Sequence, residues 1–207
     1  MTPLRRGRLP LSDKIATCER AFRAEGLPTV FRIPSITEET ELDAALAARG
    51  YVKAGKTSIR LLDLAAFDQA GEAELTAMPT EAWLDTFARF DGLSPGHRAT
   101  HRAIVDATPY EMAFAAVRDG DAIAAVGAAV LQDRFVYLNS IATDATRRRR
   151  GFGHRAVAAL LLWAKRRGAS WAHLPVAKDN VAGLALYNRL GFRTELYRYH
   201  YRALAGA

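Results

Sequence analysis

An arginine-rich turn that contains two glycines is the part of the sequence best suited to bind an anion. It lies between a predicted strand and a predicted amphipathic helix and reads Arg147, Arg148, Arg149, Arg150, Gly151, Phe152, Gly153, His154. The first amides of a helix have no intrahelical acceptor, and the helix dipole places partial positive charge at the same end. Gly151 and Gly153 lack a Cβ atom, so a phosphate can approach the backbone closely, and the arginines add long-range attraction. The segment therefore predicts a pyrophosphate site.

Two other interpretations of this turn stay open from the residues alone. A basic run is commonly a solvated charge cluster, and the glycines would then only shape a turn. The segment from Gly151 to Ala156 also fits the permissive dinucleotide fingerprint. That fingerprint requires a tight turn after the first strand of a parallel βαβ unit. Here the strand is predicted to end near Thr143, and hairpins are predicted to link the strands before it, which disfavours a dinucleotide fold.

A second informative segment lies nearer the C-terminus and reads Asn180, Val181, Ala182, Gly183, Leu184, Ala185, Leu186, Tyr187, Asn188, Arg189, Leu190, Gly191, Phe192. Alone, Tyr187 is typical of a tyrosine that packs on an amphipathic helix with its hydroxyl at the surface, and Asn180 is typical of a helix N-cap. Taken together, the two segments resemble the GNAT superfamily of N-acetyltransferases. The resemblance covers roughly residues 108 to 202 and rests on Arg148-x-x-Gly151-x-Gly153 and on Asn180 followed by Leu186-Tyr187-x-x-Leu190-Gly191-Phe192.

The resemblance implies acetyl-CoA as cosubstrate, no metal, and a role for each matching residue. Main-chain groups of Ile141, Ala142 and Thr143 would contact the pantetheine arm, in a gap where neighbouring parallel strands splay. Asn180 would hydrogen-bond the same arm. Tyr187 would contact the cofactor near the thioester sulfur and act as general acid while an amine attacks the acetyl carbonyl. The pyrophosphate would be held by the amides of Arg148, Arg149, Arg150, Gly151, Phe152, Gly153 and His154.

The sequence departs from the family pattern at two places. Many relatives carry a glutamate as general base on the strand before the phosphate turn, whereas residues 137–142 contain no carboxylate. Deprotonation would then go through water or through a residue of the N-terminal half, such as one in 81–91. Arg149 stands where relatives usually have a glycine, which would alter the turn without abolishing it. The missing carboxylate motivates an alternative function, a non-catalytic acyl-CoA-binding regulatory module.

Periodicity predicts the elements that must position these residues. In the C-terminal half it predicts strands over 112–117, 123–131, 135–143, 171–177 and 192–202, with helices over 151–167 and 181–190. The first three strands form an antiparallel meander, and the longer helix buries Val157, Leu160, Leu161 and Ala164. The predicted fold class is α/β (α+β): a mixed, mostly antiparallel central sheet flanked by helices, which is the acyl-CoA N-acyltransferase (GNAT) fold.

The N-terminal half is predicted to form helix, strand, helix and strand over 12–25, 29–33, 37–49 and 51–64, then helix over 72–90 with an interruption at Met78 and Pro79. Residues 1–11 are expected to be mobile unless another part of the chain orders them. The pattern resembles the degenerate first half of tandem GNAT proteins, in which further strands precede the segment that begins here at Met1. We therefore expect an incomplete N-terminal half over 1–90 and a sheet edge that a homodimer would cover. A linker is predicted over 91–107 and the catalytic domain over 108–207.

Composition restricts the partners. A formal net charge of +7 favours anionic ligands, and a single cysteine, Cys18, excludes an intramolecular disulfide and fits a reducing, cytoplasmic compartment. No membrane partner is expected, because no apolar run approaches the roughly 20 residues needed to cross a bilayer. No nucleic-acid partner is expected either, since the chain has no recognised binding module. The expected acceptor is a small-molecule or peptide amine. His97 and His101 are predicted to be solvated linker residues rather than metal ligands, because no third ligand lies nearby in sequence.

Overall fold

Six α-helices and eight β-strands make up residues 1–204, the part of the chain that the computed structural model describes; the last three residues of the predicted catalytic domain, 205–207, lie outside it. The helices are α1 (Leu11–Ala24), α2 (Leu42–Ala48), α3 (Glu81–Asp91), α4 (Pro95–Asp106), α5 (Phe152–Arg166) and α6 (Val181–Arg189). The strands are β1 (Val30–Pro34), β2 (Tyr51–Asp63), β3 (Glu74–Thr76), β4 (Glu111–Asp119), β5 (Ala122–Gln132), β6 (Phe135–Thr143), β7 (Trp171–Ala177) and β8 (Thr194–Leu204).

The chain divides into two units. The larger unit comprises Arg60–Pro175 and Val181–Thr194, and the smaller unit comprises Met1–Ile59, Val176–Asn180 and the residues from Glu195 onward. In the larger unit the strand order is β7-β6-β5-β4-β3. Strands β3 to β6 pair antiparallel, and β6 pairs with β7 in parallel. The predicted fold class, a mixed and mostly antiparallel sheet flanked by helices, is confirmed.

Helix α5 forms the core of the larger unit with strands β4, β5 and β6. The helix crosses between two parallel strands, β6 and β7, and a parallel pair requires such a crossover. All four residues of its predicted apolar stripe are buried: Val157, Leu160, Leu161 and Ala164. Strand β5 contributes small side chains where α5 packs, and a Cβ built on Gly127 would lie 3.1 Å from Leu160 Cδ1. The small residues of β5 therefore set how closely helix and sheet approach.

The loop between β2 and β3 holds α5 along its length. Gln69 Oε1 lies 2.9 Å from His154 Nε2, in the first turn of the helix. Near the C-terminal end, Lys165 Nζ donates to the carbonyl oxygens of Ala65 and Phe67 at 2.9 and 2.8 Å. Between these contacts, a Cβ built on Gly71 would lie 2.3 Å from the backbone nitrogen of Ala159. Only glycine fits at position 71, because the helix backbone leaves no space for a side chain.

Helices α3 and α4 correct two sequence predictions. The helix predicted over 72–90 is wrong in its first part, where residues 74–76 form strand β3 and pair with β4. Helix α3 begins later because Thr80, which follows Pro79, caps it by accepting from Trp83 N at 3.1 Å. Much of the segment 91–107, predicted as a linker, folds as helix α4. Ser94 caps it and Pro95 occupies its first turn, a pattern typical of helix starts.

The smaller unit has its own apolar core, in which helix α1 packs Ile15 against Phe31 of β1 and Leu46 of α2. Strand β1 pairs antiparallel with β8. Helix α2 is shorter than predicted, since it starts at Leu42 rather than at residue 37. The start of the chain is held by strand β1, the condition under which residues 1–11 were not expected to be mobile: the amino group of Met1 donates to Val30 O at 2.9 Å, and Arg32 N donates to Met1 O at 2.7 Å. Within residues 1–204, no helix is long and apolar enough to span a bilayer.

Candidate active site

Strand β6 carries a bulge just before the residues predicted to contact the pantetheine arm. Val126 of β5 pairs with Ala142 and Ala128 pairs with Asn139, so Ser140 and Ile141 lie together opposite Gly127. Ser140 has a φ of 51°, the left-handed conformation found in such bulges. A Cβ on Gly127 would lie 3.4 Å from Ile141 Cγ1, so the glycine makes room for the bulged chain. The bulge turns the main chain from Ile141 onward away from the regular path of the sheet.

A gap opens between β6 and β7 beyond their short ladder. The two strands pair over Phe135–Tyr137 and Trp171–His173. Among the described residues the ladder ends there, although β6 continues to Thr143 and β7 to Ala177. Pro175 has no N–H to donate, and the bulge redirects β6, so neither strand can continue regular pairing. Two neighbouring parallel strands therefore separate beside Ile141, Ala142 and Thr143.

Helix α5 presents free amides at its start. It begins directly after Gly151, which has a φ of 84° and provides no side-chain cap. The amide of Arg155 donates to Gly151 O at 3.0 Å, whereas those of Phe152, Gly153 and His154 have no acceptor within residues 1–204. A Cβ built on Gly151 would meet no atom within 4 Å, so no side chain blocks the turn. Three free amides at the positive end of a long helix fit a diphosphate.

Gly153 is the point at which three predicted site elements meet. A Cβ built there would lie 2.9 Å from Thr143 Oγ1 at the end of β6 and 3.5 Å from Leu186 Cδ2 on α6. Leu186 directly precedes Tyr187 in the chain. The structure thus brings together the end of the bulged strand, the start of α5 and the helix that carries the predicted general acid. This contact has no room for a side chain at position 153, which explains the second glycine of the turn.

The arginine run is partly neutralised, contrary to the expectation that all four side chains attract a ligand. Arg147 Nη1 lies 2.8 Å from Asp119 Oδ2. Arg150 binds both oxygens of the same carboxylate, at 2.7 and 3.1 Å. Arg148 and Arg149 are exposed, and no carboxylate among the described residues pairs with them. Asp119 lies before the turn between β4 and β5, far away in sequence, so no local pattern could have predicted this clamp.

Arg149 adopts the backbone conformation of the glycine that relatives usually carry. Its φ is 63°, within the left-handed region. A residue with a Cβ atom pays roughly 1–2 kcal/mol for this conformation. Arg148, its neighbour, has an ordinary φ of −62°. The turn therefore carries backbone strain at Arg149.

Tyr187 is buried rather than surface-exposed, with 7% of its area accessible. Burial raises the pKa of its phenol to about 12, because the anion would lose its hydration. The ring packs edge-on against Phe192, with 6.1 Å between ring centroids. The phenol therefore stays protonated over the whole ordinary pH range, as a hydrogen-bond donor must.

Asn180 lies in the smaller unit, and its backbone N–H donates to Ala177 O at 3.1 Å. Because α6 begins at Val181, Asn180 occupies the N-cap position of that helix. Its contact with the cofactor arm stays a prediction. No group of three or more His, Cys, Asp or Glu side chains suited to a metal ion occurs within the described part of the chain.

His101, predicted to be a solvated linker residue, instead lies on helix α4 beside the bulge of β6. It is half-buried on α4, stacks on Phe87 at 4.9 Å between centroids, and its Nε2 lies 3.0 Å from Oγ of the bulge residue Ser140. Burial lowers the pKa of His101, with Asp91 acting weakly in the opposite direction. The imidazole is thus held neutral beside the bulge. The signal available in sequence was the helix start at Ser94 and Pro95, with Val105 four residues after His101 on the same face.

Comparison with known proteins agrees with this architecture. The family described as Probable histone acetyltransferase Rv0428c C-terminal matches residues 5–202. The uncharacterized N-acetyltransferase YobR of Bacillus subtilis (strain 168) is 28% identical over 204 residues, which is 94% of this chain and 80% of that protein. The GCN5-related N-acetyltransferase from Kribbella flavida has a TM-score of 0.68 at 16% identity, over 96% of this chain and 78% of its own. The corresponding protein from Sphaerobacter thermophilus gives 0.69 at 16% identity, over 93% and 67%.

The solved structures share the fold at low sequence identity, whereas the family match spans almost the whole chain and both of its units. A bulged strand, a strand pair that separates, and a helix start with free amides lie inside that match. The chain belongs to the family Probable histone acetyltransferase Rv0428c C-terminal and is an acetyltransferase of the GNAT type.

Proposed function

We propose that this protein transfers the acetyl group of acetyl-CoA to a primary amine by direct attack. The observation that carries the proposal is the contact at Gly153, where the bulged strand, the free amides of α5 and the helix of Tyr187 meet. When bound, acetyl-CoA supplies an acetyl thioester whose carbonyl carbon the amine attacks, and the C–S bond breaks to leave a thiolate. Every other function in the reaction falls to residues of this chain.

The binding roles divide between main chain and side chains. The amides from Arg148 to His154 hold the diphosphate, because those of the first helical turn have no other acceptor among the described residues. The main chain of Ile141, Ala142 and Thr143 aligns the pantetheine arm in the gap beside β7, and Asn180 bonds the same arm. An amide on this splayed edge polarises the acetyl carbonyl oxygen as negative charge develops there.

Tyr187 stabilises the departing sulfur. A phenol with a pKa of about 12 is a weaker acid than a thiol, whose ordinary pKa is about 8.5. Complete transfer of the phenol proton to the thiolate alone is therefore uphill. Tyr187 donates a hydrogen bond from Oη to the sulfur as the C–S bond breaks. The amine nitrogen becomes positively charged when it attacks and releases a proton to His101 through Ser140, and proton exchange with solvent returns His101 to its neutral form and supplies the proton that the thiolate takes up. The net reaction yields an acetamide and a free thiol.

His101 is the group that we propose for the amine proton. Its Nε2 lies 3.0 Å from Ser140 Oγ, and that hydroxyl donates to Asn139 Oδ1 at 2.9 Å. In the relay the hydroxyl turns from Asn139 to His101 and passes a proton to the imidazole, whose lowered pKa keeps it neutral. This relay takes the place of the strand carboxylate that residues 137–142 lack.

The acceptor class is inferred from the family description, which names a histone. We propose a primary amine such as a lysine side chain in a peptide, and a small-molecule amine as the alternative.

Binding and turnover test the proposal separately. Acetyl-CoA should raise the melting temperature and give a calorimetric signal, and a panel of amines that includes lysine peptides should release free thiol. Tyr187→Phe should lower kcat about 10²-fold or more while the dissociation constant of CoA changes little. A chain that shows no acetyl-CoA binding at saturating concentration would refute the proposal. Binding without turnover of any amine would instead establish a regulatory module.

A further inference from the structure

A basic groove lies within the smaller unit, and neither the proposed reaction nor the family assignment accounts for it. It runs between strands β1, β2 and β8 and has a volume of about 300 Å³. That volume lies at the lower limit for pockets that bind small molecules. Four cationic side chains line it: Lys53, Lys56, Lys178 and Arg198. No acidic residue lines the groove, so its charge is positive.

Two carboxylates that contact side chains lining the groove, those of Asp43 and Glu195, are already engaged. Asp43 lies 2.6 Å from His200 Nε2, 2.8 Å from Arg202 Nε and 3.9 Å from Lys53 Nζ. These cations hold the pKa of Asp43 well below its usual range, mainly through the hydrogen bond from Arg202. Glu195 accepts from Ser58 Oγ at 2.8 Å and lies 3.2 Å from Arg198 Nε. Neither carboxylate can neutralise the two remaining lysines.

Lys56 and Lys178 are the unneutralised pair. A backbone hydrogen bond from Lys178 N to Lys56 O of 2.9 Å joins the residue after β7 to strand β2, and both lysines line the groove. No carboxylate among residues 1–204 pairs with either ammonium group, and both side chains are exposed. Two like charges that line one groove repel each other, and an anion bound there would offset that repulsion.

The remaining walls define the rest of the ligand. Ile33, Pro34 and the ring of Tyr199 form an apolar side, and Tyr199 is fixed because the Arg32 guanidinium stacks 3.8 Å from its centroid. Ser35 and Thr57 add hydroxyl groups. A groove with one apolar wall and a doubly cationic end suits a compact organic molecule that carries a doubly charged anionic group.

We propose that the basic groove binds a small organic dianion, a phosphate monoester or a dicarboxylate with an apolar portion, through Lys56 and Lys178. This site goes beyond the proposed transfer reaction, because it uses none of the residues assigned to the diphosphate or to the acetyl group. The dianion is either a separate effector or the charged end of the acceptor. The effect of the Lys56→Gln/Lys178→Gln variant on KM for amines distinguishes the two.

Phenyl phosphate is the probe, since it joins an aromatic ring to a phosphate, and phenol is its uncharged control. Calorimetric titration of the full chain, at fixed ionic strength and with and without saturating CoA, should show phenyl phosphate binding in both cases and none for phenol. Lys56→Gln/Lys178→Gln should weaken phenyl phosphate binding about tenfold. Arg20→Gln/Arg23→Gln, which removes the same charge from exposed positions of α1, should leave it unchanged.

Three results would overturn the proposal: no binding of phenyl phosphate at 10 mM (about the upper limit of a useful titration), equal weakening by both double variants, or displacement of the probe by CoA. Absence of CoA binding in the unaltered chain as well as in every variant would refute the transferase proposal and leave the groove titration intact. If the Lys56→Gln/Lys178→Gln variant raises KM only for amines that carry a phosphate or carboxylate, the groove binds the acceptor. If it leaves all amines unaffected but still weakens phenyl phosphate, the groove binds an effector.

Discussion

The arginine turn and the basic groove are both strongly cationic, yet they are built in opposite ways. In the turn, Asp119 clamps Arg147 and Arg150, whereas Arg148 and Arg149 are exposed and the first amides of α5 have no acceptor within residues 1–204. In the groove, Lys56 and Lys178 have no carboxylate partner within the described chain. The number of cations in a segment therefore says little about how that segment binds. Two of the arginines in the turn shape the backbone, whereas the lysines of the groove supply charge.

The largest effect should come from adding a side chain at Gly153, where the side chains of Thr143 and Leu186 lie close to the helix backbone. Gly153→Val should raise the CoA dissociation constant about 100-fold, because overpacking by about 1–3 kcal/mol pushes the first turn of α5 out of place. Calorimetry on the folded variant measures it. The milder Gly153→Ala should be partly rescued by Thr143→Ala, which removes the hydroxyl 2.9 Å from the new Cβ. Unchanged affinity in Gly153→Val would show that close backbone approach is not required.

His101→Gln separates the chemistry of the larger unit from its binding. We expect kcat to fall about tenfold, less than for a base in direct contact, because His101 acts through Ser140. A base must be neutral, so kcat/KM of the unaltered protein should rise with pH through the pKa of His101, which lies below the ordinary 6.5. The variant should lose this acid limb while keeping its CoA affinity. An unaltered pH profile in the variant would assign the proton to water instead.

Asp119→Asn tests whether the charge of the turn or the shape of its backbone determines CoA binding. The substitution raises the net charge by one and frees Arg147 and Arg150, so simple attraction predicts tighter CoA binding. We expect the opposite, a dissociation constant about threefold higher, since the turn loses its clamp. Calorimetric titrations with CoA at low and high salt show whether the dissociation constant rises or falls. Tighter binding would make the turn an electrostatic site like the groove.

Arg149→Gly should have the smallest effect on binding and a measurable one on stability. Glycine adopts a φ of 63° without strain, so the free energy of unfolding should rise by about 1 kcal/mol. The CoA dissociation constant should stay within about twofold, although one arginine is lost. Arg148→Gly is the matched control, because it removes the same charge at an ordinary φ of −62° and should bring no gain. Denaturant unfolding of both variants distinguishes strain from charge.

Sequence patterns predicted the elements of the larger unit best where periodicity was long or alternation was regular. Helix α5 and strands β6 and β7 agree with their predicted bounds to within a residue or two, because their apolar patterns match a single buried face. Helix α4 was missed because turn residues at its start outweighed a short and weak apolar stripe. The same error hid His101, whose neighbours Phe87 and Ser140 come from distant parts of the chain.

The residues of the candidate site also differ in how well the sequence predicts them. The glycines at the helix start and the tyrosine of the C-terminal segment can be predicted from the residues next to them in the chain. Asp119, Gln69 and the paired lysines cannot, because their partners are brought together only by the fold. The conformation of Arg149 lies between these cases: the family pattern marked the position, but only the structure shows that the arginine accepts the left-handed backbone of a glycine.

The loop between β2 and β3 touches α5 at His154, at Ala158 and Ala159, and at Lys165, which are spread over about three turns of the helix. Contacts at both ends and in the middle prevent α5 from shifting along its axis or rotating about it. The three amides at its tip are consequently set in place when the chain folds, and a diphosphate that arrives later finds a rigid receptor. Because folding has already ordered these amides, cofactor binding brings little further loss of conformational entropy. This favours fast association of the cofactor over slow adjustment of the site.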